Sequence, residues 1–247
     1  GHRDFGENRV QNLVQRSAVI DEWAKRVRML PEAARSMALD ESGSGAVRWH
    51  MIGHLQRNKA RKVAELCRLV HSVDSLRVAE ELQVCANRLD RGLDRPVEVL
   101  VQVNVSGEES KAGCPVSAAG ALCEQIDTMV NVRVRGLMTM APYSDDPEAA
   151  RPHFRRLREL FEELREARAG AAGDRGAGGG RFNLLSMGMS GDFEVAIEEG
   201  ANVVRVGSAI FGHRHDPDGA DADGAADGSG GAARAEADGP EGSEDGD

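Results

Sequence analysis

Apolar positions along this chain follow two alternating rhythms. The run Val97-Glu98-Val99-Leu100-Val101-Gln102-Val103-Asn104-Val105 is nearly continuous in β-branched and aliphatic residues, the pattern of a strand buried on both faces. Shorter runs of the same kind cover residues 47–52, 69–73, 132–140 and 202–206. Between them, apolar residues recur at helical spacing: Val10, Leu13, Val14 and Ile20; then Val78, Leu82, Cys85 and Leu89; then Phe154, Leu157, Phe161 and Leu164, behind an Asp146-Pro147 cap. Residues 58–66 add a basic helix, whereas 29–46 and the glycine-rich 169–180 read as loop and flexible insertion. Strands that alternate with helices predict a parallel sheet covered by helices. Seven strand-plus-loop units are legible, ending at residues 8, 54, 74, 105, 140, 190 and 207. A closed barrel of this type needs eight. The expected fold is therefore α/β, a (β/α)8 TIM-type barrel truncated at its N-terminus, with seven of eight units present.

Composition divides the chain in two. Residues 213–247 hold eight Asp and three Glu against two Arg, nine of the ten net negative charges, and contain no aromatic, Leu, Ile or Val. Such a segment cannot bury enough apolar area to offset the entropy of ordering, so an acidic disordered tail is expected after a barrel domain of residues 1–212. The barrel itself is nearly neutral and shows no basic stripe interleaved with aromatics, which argues against nucleic acid as a partner. Cys67, Cys85, Cys114 and Cys123 form no C-x-x-C pair and fit buried thiols in a reducing compartment. With no signal peptide and no apolar run near ~18 residues, no membrane contact is expected and a cytoplasmic location is.

The chemistry concentrates in residues 184–212, LLSMGMSGDFEVAIEEGANVVRVGSAIFG. Two successive strands there end in small residues, Ser190-Gly191 and Gly207-Ser208. Small side chains let a phosphate approach backbone N–H groups, and in (β/α)8 barrels the phosphate site is frequently built from the loops after the last two strands. Either loop alone reads better as an ordinary glycine-rich turn; the tandem arrangement favours a grip. Arg205 favours it further, because a guanidinium flanked by valines on a buried strand needs an ion pair, with Glu7 or Glu194 as candidates, or a ligand. Asn8 stands where a strand delivers side chains to the active face, and equally where a helix cap would stand. His54 sits at the end of the next strand. His50 and His54 are four apart, a zinc-binding spacing on a helix, but Gly53 and the strand context argue against metal.

Six segments in order, RDFGENRVQ, WHMIGHLQRNKAR, HSVDS, VNVSGEESKAGC, RGLMTMAPYSDD and SMGMSGDFEVAIEEGANVVRVGSAIFG, closely resemble the pyridoxal phosphate homeostasis proteins, whose barrel is similar to the N-terminal domain of alanine racemase. The resemblance spans residues 1–212. It implies pyridoxal 5′-phosphate (PLP) as cofactor, its phosphate held by Ser190, Gly191, Gly207 and Ser208, Asn8 and His54 lining the pocket, and Arg205 near the pyridine nitrogen. The implied role is intracellular buffering of PLP without strong catalytic activity, with transient delivery to PLP-dependent apoenzymes. An amino-acid racemase, or a barrel for another phosphorylated metabolite, are the alternatives. In the family, the strand before FGEN carries the lysine that forms the Schiff base. That strand is expected upstream of Gly1, and Lys25, Lys59, Lys62 and Lys111 match other family positions.

Overall fold

The computed structural model describes residues 2–29, 47–91, 95–108, 111–171 and 182–212. The chain runs β1 (Asp4–Glu7), α1 (Val10–Arg28), β2 (Arg48–Met51), α2 (Ala60–Leu66), β3 (Cys67–Val73), α3 (Leu76–Arg88) and β4 (Val97–Asn104). It continues through β5 (Cys114–Pro115), α4 (Val116–Asp127), β6 (Val132–Met138), α5 (Arg151–Ala171), β7 (Leu184–Met189), α6 (Phe193–Glu198), β8 (Val203–Arg205) and α7 (Ser208–Phe211). Seven strands pair in the order β1-β2-β3-β4-β6-β7-β8, every pair parallel, as the expected strand–helix alternation requires. The short β5, which hydrophobic periodicity does not reveal, adds to the end of β4. Among the described residues the sheet path begins at β1 and ends at β8, so this is a nearly closed α/β barrel. The expected acidic tail, the loop at 30–46 and residues 172–181 lie outside the described residues; α5 itself reaches Ala171, into the span read as insertion.

Alternation along the strands sorts side chains into two layers. Val70, Val99, Val101, Val103, Leu137, Leu185 and Met187 face the helices and join their apolar stripes in the main core. Phe154, Leu157 and Phe161 of α5, and Val78, Leu82 and Cys85 of α3, are buried there as the helical spacing predicts. The opposite parity, Leu69, Leu100, Met138 and Leu184, forms a separate small cluster on the inner face. Gly136 lets β6 and β7 approach: a Cβ there would sit 1.7 Å from the Leu184 carbonyl oxygen. Asp146 caps the 3-10 turn Pro147–Ala150 that leads into α5, its carboxylate accepting the Glu148 amide at 3.0 Å.

Phe154 has no exposed surface. Phe154→Ala should lower the unfolding free energy by about 3–5 kcal/mol in urea titrations, the usual cost of emptying such a site. A loss under about 1 kcal/mol would contradict the seating of α5 on the sheet.

Candidate functional site

Parallel strands deliver all their C-terminal ends to one mouth, and each residue marked out in the sequence lies there or in the last turn of a strand. The loops after β7 and β8 are tied together directly. Ser190 Oγ accepts the amide of Gly207 at 3.1 Å and that of Ala209 at 3.3 Å. In the same turn, Asp192 Oδ1 accepts the Met189 amide at 2.6 Å, which folds the chain back into α6. Just past α6, the buried Glu199 faces Arg151, Arg155 and Arg158 of α5 at 3.1–3.2 Å, so this corner is pinned to the outer layer. Gly191 and Gly207 open into free space; a Cβ on either would meet nothing within 4 Å.

On the far side of the open edge, Asn8 and His54 follow β1 and β2. Their loops touch at Gly53, where a Cβ would lie 2.2 Å from the Asn8 carbonyl oxygen. The His54 ring is 65% exposed, with Nδ1 3.9 Å from Asp74. The capping reading of Asn8 is not met, because the cap position of α1 is Arg9 and it makes no side-chain cap. The seven candidates thus fall into two groups: Asn8 and His54 beside β1 and β2, and Ser190, Gly191, Arg205, Gly207 and Ser208 beside β7 and β8.

Arg205 is held from the inner face. Its Nη1 donates to Ser186 Oγ at 2.7 Å and its Nη2 to the Thr139 carbonyl at 2.8 Å. Burial lowers the guanidinium to about 10, against a smaller upward pull from Asp192, so it stays cationic at neutral pH. Neither expected ion-pair partner is used: Glu7 is bound by Arg16, and Glu194 is exposed. The groups that hold the cation are a hydroxyl and a carbonyl, which sequence spacing does not reveal.

Sequence reading also passes over the residues behind Ser186. His71 Nδ1 lies 2.9 Å from Ser186 Oγ, and His71 Nε2 lies 3.0 Å from His50 Nδ1. His50 Nε2 is 3.1 Å from Asp4 Oδ1, and Arg48 grips the same carboxylate. The available signal was a histidine inside the buried run Leu69–Val73, where it must find partners. His50 therefore points along the inner face instead of toward His54, and among the described residues no group of three His, Cys, Asp or Glu could hold a metal ion.

Of the lysines, Lys25 and Lys62 pair with Glu22 and Glu65 on helix surfaces. All four cysteines are buried and unbridged, and burial pushes Cys67 and Cys123 up to about 12 and Cys114 to about 11, as inert packing thiols. No helix among the described residues is long and apolar enough to cross a membrane.

The family described as alanine racemase, N-terminal domain, matches residues 1–215. The pyridoxal phosphate homeostasis protein of Aquifex aeolicus is 39% identical over 218 residues, 87% of this chain and 78% of that one. The human protein of the same name is 34% identical over 224 residues, 87% and 69% of the two chains. PipY of Synechococcus elongatus PCC7942, solved with PLP bound, superposes with a TM-score of 0.65 at 32% identity, covering 86% of this chain and 82% of PipY. An alanine racemase from Clostridium difficile, at 12% identity and a TM-score of 0.55, shares the fold. By a match that spans its barrel and by relatives above 30% identity, this chain belongs to the alanine racemase N-terminal domain family and, within it, to the pyridoxal phosphate homeostasis proteins.

Proposed function

We propose that this chain binds PLP at the C-terminal mouth of its sheet and serves PLP homeostasis by holding and releasing the cofactor, without strong catalysis of its own. The observation that carries the reading is the junction of the two small-residue loops through Ser190, with open space over Gly191 and Gly207. Those residues fit a phosphate: the Gly207 and Ala209 amides converge on the Ser190 hydroxyl as they would on a phosphate oxygen, Ser208 stands in the same turn, and a Cβ on Gly191 or Gly207 would meet nothing within 4 Å. Family membership and the PLP-bound PipY neighbour favour the same ligand. Asn8 and His54 would line the mouth opposite, and Arg205 would stand by the ring nitrogen, as the family resemblance implies. Once bound, PLP supplies an aldehyde for amines and a ring able to draw electrons from what is attached. Arg205 opposes the second property, because a fixed cation beside the ring nitrogen disfavours its protonation. Delivery to PLP-dependent apoenzymes follows as the partner role.

A racemase needs a base on the face opposite the lysine. Tyr143, the one tyrosine, is exposed and donates to Asp145 at 3.0 Å, which raises its phenol above the usual range. Tyr143 therefore carries no argument for a racemase, and the relatives named for PLP homeostasis favour the carrier reading. A different phosphorylated metabolite remains an outcome of the binding test.

Gly207→Val should leave the thermal midpoint within a few degrees of the parent, since the added carbons enter open space, yet weaken PLP binding at least about tenfold in equilibrium dialysis. Unchanged affinity would remove the phosphate from these loops, and tighter binding of another phosphorylated metabolite would replace the ligand.

Borohydride reduction of the PLP complex, followed by peptide mapping, should give no stoichiometric label on Lys25, Lys59, Lys62 or Lys111. Full labelling of any one of them would identify it as the cofactor lysine.

A further inference from the structure

Six side chains from five strands form a single hydrogen-bonded chain: Arg48, Asp4, His50, His71, Ser186 and Arg205. It runs from the N-terminal ends of β1 and β2, where Asp4 and Arg48 lie, to the C-terminal end of β8. His71 and Ser186 are each about 1% exposed or less, so water does not substitute for the partners they have.

The donors can point only one way. Arg205 has no acceptor, so Ser186 Oγ accepts from it. Asp4, whose carboxyl is held below the usual range by its hydrogen bonds from Arg48, has no donor, so His50 Nε2 must carry a proton. A neutral imidazole has one N–H; His50 Nδ1 is then an acceptor, and His71 Nε2–H donates to it. That leaves His71 Nδ1 to accept, and the Ser186 hydroxyl proton goes there. From Arg205 through His50 every N–H and O–H then points toward Asp4, Arg48 donates to the same carboxylate from the other end, and each contact has one donor and one acceptor. The reverse order would strand the Ser186 proton and set an imidazole lone pair against a carboxylate. Both rings stay neutral: burial lowers His50 and lowers His71 well below the usual range, Arg48, Arg68 and Arg205 oppose a further proton, and only Asp4 favours one.

We propose that His71 is a positioning residue for Arg205: locked as the Nε2–H tautomer by His50, it fixes the Ser186 hydroxyl as the acceptor that orients the guanidinium toward the cofactor ring. This rests on the assignment of Arg205 to the ring nitrogen. The alignment couples the ring end of the site to Asp4 and Arg48 at the opposite mouth, through Ser186 and the two histidines.

The test begins without PLP. Two-bond nitrogen–proton spectra of the full chain, labelled with ¹⁵N-histidine, should show His50 and His71 both as Nε2–H tautomers at neutral pH, each with an unprotonated Nδ1. A proton on Nδ1 of either ring overturns the proposal. With PLP bound, His71→Leu, which removes neither of the groups hydrogen-bonded to Arg205, should move the cofactor absorbance in the same direction as Arg205→Leu. Ser186→Ala should do the same and stands in if His71→Leu does not fold. Bound PLP with the parent absorbance in both variants overturns the positioning role. Failure of the parent chain to bind PLP would instead overturn the cofactor assignment, and the tautomers would still decide the hydrogen-bonded chain.

Discussion

A cation inside a barrel has to be met by acceptors, and much of the inner face of this protein answers that requirement. Arg205 sits near the end of a three-residue strand, with Ser186 from β7 and the Thr139 carbonyl after β6 taking two of its N–H groups. Among the described residues no carboxylate is hydrogen-bonded to it, and Asp192 contributes only a smaller coulombic pull. Its charge is instead balanced through dipoles aligned toward Asp4, which pairs with Arg48. An uncompensated guanidinium there would cost several kcal/mol. Aligned polar groups offset that cost while the cation keeps its charge available for a ligand, which a direct salt bridge to Glu7 would have consumed.

The outer face obeys a simpler rule. Val70, Val99, Val101, Val103, Leu137 and Leu185 bury against helices whose stripes repeat at 3.6 residues, and this layer supplies most of the apolar burial. The inner apolar cluster is small by comparison, built around Leu69, Leu100 and Met138. Polar residues in the remaining inner positions, among them His71, Gln102 and Ser186, are tolerated because each has a partner: Gln102 donates to the Ala112 carbonyl at 3.1 Å, and the other two are linked to each other. Stability and chemistry are thereby assigned to opposite faces of the same strands.

The mouth follows from the same geometry. Seven parallel strands end on one side, so a hydroxyl from one loop and amides from the next meet without any long connection. Anchoring of Glu199 by three arginines of α5 holds the corner where those loops cross. On the proposed reading, phosphate would be gripped by fixed backbone groups and the ring left to a cation, a combination that suits reversible holding of PLP better than electron withdrawal from a substrate.

The sequence by itself determined the strand and helix order, because apolar spacing is a local property: the stripes at Val78, Leu82 and Cys85 and at Phe154, Leu157 and Phe161 are buried as spaced. It also marked the small-residue loops at Ser190-Gly191 and Gly207-Ser208, since low side-chain volume before a helix is visible one residue at a time. Resemblance across six segments carried the family. Only the tertiary structure decided who holds Arg205. Ser186 is nineteen residues away and His71 is a further 115 residues from Ser186, and which hydroxyl or ring lies opposite a cation depends on strand register. For the same reason β5, two residues long, left no periodic trace, and Asp4, His50 and His71 could not be read as one chain until parallel pairing brought β1, β2 and β3 side by side. Spacing along the backbone tells which face a side chain takes; only the register of the sheet tells what it meets there.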